Sequence, residues 1–183
     1  CHPTFDFMLA YAERLGCNWA RTPLTSTYQY DLNGLDKACG SNTKLIFVCN
    51  PNNPTGIEIP TAELQSFCET QSKKYPVYVD EAYIELSPNG RASSMASLVD
   101  SNPNIIVGRT FSKVHGLAGL RIGYAIANPV TIELLANFHI GRGMTISSAS
   151  ANAAIACLKD AEFEAYSRRR IIEGREMVCK AFD

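Results

Sequence analysis

The 183-residue chain has no apolar run near the roughly 20 residues that a membrane-spanning helix needs. It also has no run of five or six like charges, and its 17 basic residues nearly balance 18 acidic ones, giving a formal charge of -1. These absences argue against a membrane span and against a basic surface for nucleic acid. We therefore expect a soluble protein with neither a membrane nor a nucleic-acid partner.

Patterns for metal ions and disulfides are also lacking. The seven cysteines are spread along the chain, with no C-x-x-C pair and no histidine at zinc-ligand spacing. Buried reduced thiols are the expectation, and no metal site is predicted. With 46% hydrophobic residues and no repeats, the chain can form the core of one ordinary domain.

The two ends of the chain suggest a fragment. It opens at Cys1 without a methionine and stops at Asp183 inside a charged helical pattern. We expect a longer protein in which any signal peptide would lie upstream, so the sequence gives no information about export.

Helical and strand-like segments alternate along the chain, which indicates an α/β fold. Apolar runs predict strands at 44–49, 77–79, 105–108 and 122–127. Helical patterns cover 5–15, 61–74 (with Thr61 as N-cap), 130–138, 147–158 and 162–181. We expect a three-layer α/β/α domain with a mostly parallel sheet at residues 1–160. A long helix, 161–183, would then lead to a smaller C-terminal domain.

Three polar clusters each follow a predicted strand: N-P-N-N-P-T-G at 50–56, D-E-A-Y at 80–83 and T-F-S-K at 110–113. Ligands bind beyond the carboxyl ends of strands in open parallel sheets, so the three clusters are predicted to meet at one site. Each has an ordinary alternative. The first suits a rigid turn, Asp80 could cap a helix, and Lys113 could be a surface lysine.

Together the clusters resemble the fold-type I pyridoxal-phosphate aminotransferases of class I/II, and most closely the histidinol-phosphate aminotransferases. The likeness covers nearly the whole chain and includes S-K-V-H-G-L-A-G-L-R-I-G-Y at 112–124. It implies a cytoplasmic, homodimeric transaminase that moves an amino group between glutamate or 2-oxoglutarate and a second compound such as histidinol phosphate. A decarboxylase, lyase or acyltransferase of the same fold, or an inactive binding module, remains an alternative.

The resemblance also implies which side chains hold pyridoxal phosphate. Lys113 would bind it covalently and serve as general acid and base. Asp80 would pair with the ring nitrogen and keep it protonated. Asn53 and Tyr83 would donate hydrogen bonds to the phenolic oxygen. Lys113, Asp80 and Tyr83 are therefore the candidate catalytic residues.

The phosphate and the ring faces have their own candidates. Arg121 would form a planar fork on the phosphate, while Thr110 and Ser112 would supply hydroxyl groups. Phe5 would stack on the ring, with an ordinary core phenylalanine as the alternative.

Three further residues are weaker candidates. His115 could be a proton shuttle, although a hydrogen-bonded loop imidazole explains it as well. His139 and Arg142 could face a substrate phosphate, and a solvated turn is their alternative.

Overall fold

The computed structural model describes residues 1–138 and 146–182. A four-stranded sheet lies at the centre, with its strands in sequence order. The strands are β1 (Ile46–Cys49), β2 (Val77–Asp80), β3 (Ile105–Thr110) and β4 (Gly123–Ala127). β1, β2 and β3 run parallel, and β4 pairs antiparallel with β3. The predicted α/β fold with a mostly parallel sheet is confirmed.

Helices surround the sheet in the described segments. They are α1 (Phe7–Arg14), α2 (Leu32–Ala38), α3 (Thr61–Gln71), α4 (Pro129–Phe138), α5 (Ser148–Lys159) and α6 (Ala161–Phe182). The sequence pattern does not predict α2, because seven residues around Gly34 give little helical periodicity. The side chain of Asp31 stabilises its start by accepting a hydrogen bond from the Gly34 N–H. No helix within these described residues is long and apolar enough to cross a membrane.

The predicted N-cap of α3 is wrong by one residue. Thr61 is the first helical residue, and Pro60 occupies the cap position without a side-chain hydrogen bond. Pro60 has an extended ψ of 130°, which is not helical, so the helix starts directly after it. The predicted buried face is correct and contains Leu64, Phe67 and Cys68.

β1 is buried on both faces, and β2 and β3 are buried at alternate or most positions, as expected of parallel strands covered on each side, whereas β4 has no buried residue. Val77 and Val79 face the main core, where they join Leu64 of α3 and Met95. The alternate positions of the strands face a second, smaller cluster that contains Leu9 of α1 together with Phe47, Cys49 and Tyr78. Consecutive residues at a strand end therefore point to opposite layers.

The long helix α6 has 22 residues, none of them buried. It is attached to the preceding structure through its first half. Arg91 donates to the carboxylate of Glu164 at 2.7 Å, and Arg168 donates to the carbonyl oxygen of Ser87 at 3.1 Å. The helix begins at Ala161, next to the predicted domain boundary, and that boundary stays a prediction.

Candidate functional site

The three polar clusters begin side by side at one edge of the sheet. The ladder pairs Cys49 with Asp80, and Asp80 with Gly108. Hydrogen bonds of 2.9 Å, from Asn50 N to Asp80 O and from Glu81 N to Gly108 O, continue the ladder past the strand ends. The carboxyl ends of β1, β2 and β3 therefore start loops that share one edge.

Three predicted residues, one from each loop, are in contact. The Nζ atom of Lys113 lies 4.9 Å from the centre of the Tyr83 ring. The Tyr83 hydroxyl accepts a long hydrogen bond, 3.4 Å, from the side-chain amide of Asn53. Lys113 is exposed, and in the described part of the chain no carboxylate forms an ion pair with it. Its amine therefore lies against an aromatic ring and is not paired with a carboxylate of the described residues.

Asp80 lies half-buried at the end of β2. Burial raises the pKa of its carboxyl above the ordinary value, while the Ala82 N–H and the positive charge of Lys113 act in the opposite direction. One carboxylate oxygen accepts the Ala82 N–H at 3.0 Å. The short 3₁₀ turn that follows, Ile84–Leu86, has Tyr83 at its cap position. The capping alternative for Asp80 is therefore not what the structure shows.

Phe5 is 45% exposed, which excludes the core alternative. Its ring stacks on Phe7, with the ring centres 6.1 Å apart. The neighbouring Thr4 donates to Asn52 at 2.7 Å, and Asn52 donates to the carbonyl of Pro3 at 3.0 Å. These bonds fix the segment before α1 against the loop that carries Asn53.

Thr110 and Ser112 form a small turn at the end of β3. The Thr110 hydroxyl accepts the Ser112 N–H at 3.0 Å, and the Phe111 N–H reaches the Ile122 carbonyl at 3.2 Å. The second bond brings the approach to β4 beside this turn. Both hydroxyls therefore lie on the segment that leads from the end of β3 to Lys113.

Arg121 lies one residue before Ile122, in a left-handed conformation with a φ of 51°. The predicted strand start, Ile122, is one residue early, since β4 begins at Gly123. The guanidinium is exposed, and its Nη1 donates to the Ala118 carbonyl at 2.8 Å. The described contacts do not join Arg121 directly to Thr110 or Ser112, although the chain places it beside their turn.

The weaker candidates have different outcomes. His115 is buried, its ring is tilted against Phe111 at 5.2 Å between centres, and its Nδ1 has no partner among the described atoms. The alternative of a hydrogen-bonded loop imidazole is thus wrong for the Nδ1 atom of His115. The other two candidates, His139 and Arg142, lie outside the described residues.

Sequence reasoning missed a buried charged group beside the site. The carboxylate of Glu81 accepts a hydrogen bond from Arg109 at 3.0 Å, and both side chains are largely buried. The signal was present, because Glu81 continues the alternation of Val77 and Val79, at positions that face the core. A charged residue at such a position needs a partner.

A cavity of about 810 Å³ lies at a different place. It opens beside Leu45, just before β1, and beside Ile46 and Phe47 in the first half of β1, and none of the eight predicted site residues lines it. Ligand sites of parallel sheets lie at the opposite ends of the strands. We therefore assign the candidate site to the loops around Lys113.

Solved structures with this fold are known. A histidinol-phosphate aminotransferase from Sinorhizobium meliloti, solved in complex with pyridoxal 5'-phosphate, matches with a TM-score of 0.87 and 28% identity. The match covers 96% of this chain and 47% of that protein.

Curated relatives carry two different names. An aromatic amino acid aminotransferase from Mycolicibacterium vanbaalenii is 41% identical over 159 residues, covering 87% of this chain and 44% of that protein. A histidinol-phosphate aminotransferase from Cupriavidus pinatubonensis is 39% identical over 155 residues, covering 85% of this chain and 41% of that protein. The chain thus spans less than half the length of these relatives.

The model of one family, described as aminotransferase class I and II, matches residues 1–183. This match, the relatives and the arrangement of the three loops agree. The chain belongs to the class I and II aminotransferase family.

Proposed function

We propose that this chain forms the cofactor-binding part of a pyridoxal-phosphate-dependent aminotransferase, with Lys113 as the covalent attachment point. The observation that carries the proposal is the position of Lys113, whose amine lies 4.9 Å from the centre of the Tyr83 ring. The related Sinorhizobium protein, solved with this cofactor, supports the choice of ligand.

The side chains at this edge of the sheet suit the chemical parts of pyridoxal phosphate. Lys113 offers an amine for its aldehyde, and Asp80 offers a carboxylate for its pyridine nitrogen. Tyr83 and Asn53 provide donors for its phenolic oxygen. When bound, the cofactor supplies the electron sink for reactions at the substrate α-carbon.

Lys113 would hold and move a proton at Nζ once the substrate amine has replaced it. The Tyr83 ring lies against the lysine amine and would restrict where the side chain can lie, so that the amine would stay near the reacting atoms of a bound cofactor. No ion pair with a described carboxylate has to be broken for this step.

Asp80 would stabilise the protonated ring nitrogen. Its pKa is raised mainly by burial, so the carboxylate gains from a cationic partner at close range. Lys113 lowers this pKa only in part. A pyridinium nitrogen would complete the pairing.

The remaining residues would anchor the phosphate and the ring face. Thr110 and Ser112 supply hydroxyls from the turn after β3. Arg121 has one donor bonded to Ala118, while its other N–H groups form no hydrogen bond or ion pair with the described residues and are suited to a phosphate. Phe5 presents an exposed ring next to the Asn53 loop.

For the substrates, we propose glutamate and 2-oxoglutarate as one pair and histidinol phosphate with its keto product as the other. The sequence strings at 50–56, 80–83 and 112–124 support histidinol phosphate. An aromatic amino acid is the second candidate, because relatives of about the same identity carry that name. We also propose that the enzyme is cytoplasmic and works as a homodimer.

Borohydride reduction of the cofactor-loaded protein, followed by peptide mapping, tests the attachment point. The label should lie on Lys113, and Lys113→Ala should abolish it. Lys73→Ala, a change at an exposed lysine after α3, should leave the labelling unchanged. Label on another lysine, or none on the wild type, would contradict the proposal. Comparing kcat/KM for histidinol phosphate and phenylalanine then decides between the two substrates.

A further inference from the structure

A buried charged network lies on the face of the sheet opposite to Asp80. The Glu81 side chain is 1% exposed. Its carboxylate accepts hydrogen bonds from the Ser94 hydroxyl at 2.7 Å, the Met95 N–H at 2.7 Å and the Arg109 Nε at 3.0 Å. Arg109 also donates to the Ser94 hydroxyl at 2.6 Å. Each of the three side chains, Glu81, Ser94 and Arg109, is therefore hydrogen-bonded to the other two.

The main chain of Glu81 is fixed as well. Its N–H donates to the Gly108 carbonyl at 2.9 Å, and its carbonyl accepts the Ile84 N–H at 3.1 Å. Glu81 lies in sequence directly between Asp80 and the turn that carries Tyr83. The orientation of both residues is thus coupled to the position of Glu81.

Stability alone is a poor reason for this network. Burial raises the pKa of Glu81, and the hydrogen bonds from Ser94, Met95 and Arg109 only oppose that cost. Replacing a buried ion pair by apolar residues of similar size is often neutral or stabilising. Glu81 shares its face with Val77 and Val79, where an apolar side chain would fit the core. A role in fixing geometry explains the charges better.

We propose that Glu81 is a positioning residue. Through its bonds to Arg109 and Ser94 it fixes the 80–83 turn, so that Asp80 and Tyr83 can contact the same bound cofactor. Arg109 directly precedes Thr110, so the network also ties this turn to the strand that leads to Lys113. The inference rests on the proposed function, because it assigns Glu81 a role toward a cofactor held by its neighbours.

A double-mutant cycle tests whether Glu81 acts through Asp80. In the cofactor-loaded full-length protein, Glu81→Gln should slow the half-reaction with glutamate by about tenfold, since small displacements of catalytic groups cost one to two orders of magnitude. In an Asp80→Asn background the same change should cost clearly less than in the wild type, as coupled sites are not additive. The pH midpoint of the bound cofactor's absorbance should also move toward that of Asp80→Asn.

Glu85→Gln is the matched control. Glu85 is another buried carboxylate of the same segment, but it pairs with Arg91 at 3.4 Å. This variant should keep the wild-type rate and absorbance midpoint. Ser94→Ala keeps both charges of the network and serves as a milder probe if Glu81→Gln does not fold. It should move the midpoint in the same direction by a smaller amount.

The outcomes separate the two proposals. A wild-type midpoint in folded Glu81→Gln or Ser94→Ala, or equal losses in both backgrounds, would overturn the role of Glu81. A wild-type protein that does not bind pyridoxal phosphate would instead overturn the proposed function.

Discussion

Asp80 and Glu81 are consecutive carboxylates that point to opposite faces of the sheet. Asp80 is influenced by Lys113 on the side of the candidate site, whereas Glu81 is bonded to Arg109 in the core layer. Two acidic groups of similar intrinsic acidity therefore have different surroundings. This separation makes distinct predictions for substitutions at each position.

Asp80→Asn retains the shape of the side chain and removes its charge. Because the charge keeps the cofactor ring protonated, kcat should fall by at least about tenfold, which corresponds to about 1.4 kcal/mol in the barrier. The dissociation constant for pyridoxal phosphate should change less. Asp100→Asn, at an exposed position, is the control. Steady-state kinetics together with cofactor titration checks this, and near wild-type turnover in Asp80→Asn would refute the assigned role.

The raised pKa of Asp80 also predicts a pH dependence of stability without cofactor. The folded protein binds the Asp80 proton more tightly than the unfolded chain does. Its contribution is thus fully present below the unfolded pKa of about 4 and is lost as pH rises through the folded pKa. Asp80→Asn should therefore gain stability relative to the wild type as pH rises through this window. Urea unfolding at a series of pH values measures the difference, and parallel curves would contradict it.

Tyr83→Phe separates the ring from its hydroxyl. The ring under Lys113 remains, and the lost bond to Asn53 is long at 3.4 Å, so the free energy of unfolding without cofactor should fall by no more than about 1 kcal/mol. Affinity for pyridoxal phosphate should fall by at least about tenfold, because hydrogen bonds to charged acceptors contribute about 1.5–3 kcal/mol. Tyr11→Phe, at an exposed tyrosine, should change neither quantity. Unchanged affinity in Tyr83→Phe would remove the hydroxyl from the site.

Gly123→Ala should weaken the pairing of β3 with β4. A Cβ atom at Gly123 would lie 2.7 Å from the Arg109 carbonyl oxygen, a backbone atom that cannot rotate away. We expect a loss of about 1–3 kcal/mol, typical of overpacking. Gly119→Ala is the matched control, because its Cβ would meet nothing within 4 Å. Equal stability of the two variants in urea unfolding would show that the strand pair can adjust.

The sequence predicted those parts of the site that lie in continuous strings. Asn53, Asp80 and Lys113 each follow an apolar run, so strand ends and polar residues could be located together. The pair of Glu81 and Arg109 could not be found in this way. It joins the residue after β2 to β3, and this contact depends on the register between the two strands, which the apolar pattern of each strand alone does not reveal.

The direction of β4 also could not be predicted from the sequence. The apolar pattern of 122–127 predicted a strand but not its antiparallel pairing with β3. The structure places Thr110 opposite Gly123, with no α-helix in the described connection between them. A parallel pairing normally requires a crossover of a dozen or more residues that includes a helix. The physical reason for the direction is therefore the connection, which an apolar pattern does not include.

α6 is attached through its first half, so a rotation at the attachment would produce a larger movement at its C-terminal end. Arg168 holds the helix to the Ser87 carbonyl, a few residues after Tyr83, and the 14 residues that follow Arg168 extend the helix by about 21 Å at 1.5 Å per residue. A rotation of only about 10° at Arg168 would move the far end of such a helix by about 4 Å. A small rotation beside the candidate site would thus become a much larger displacement at Phe182.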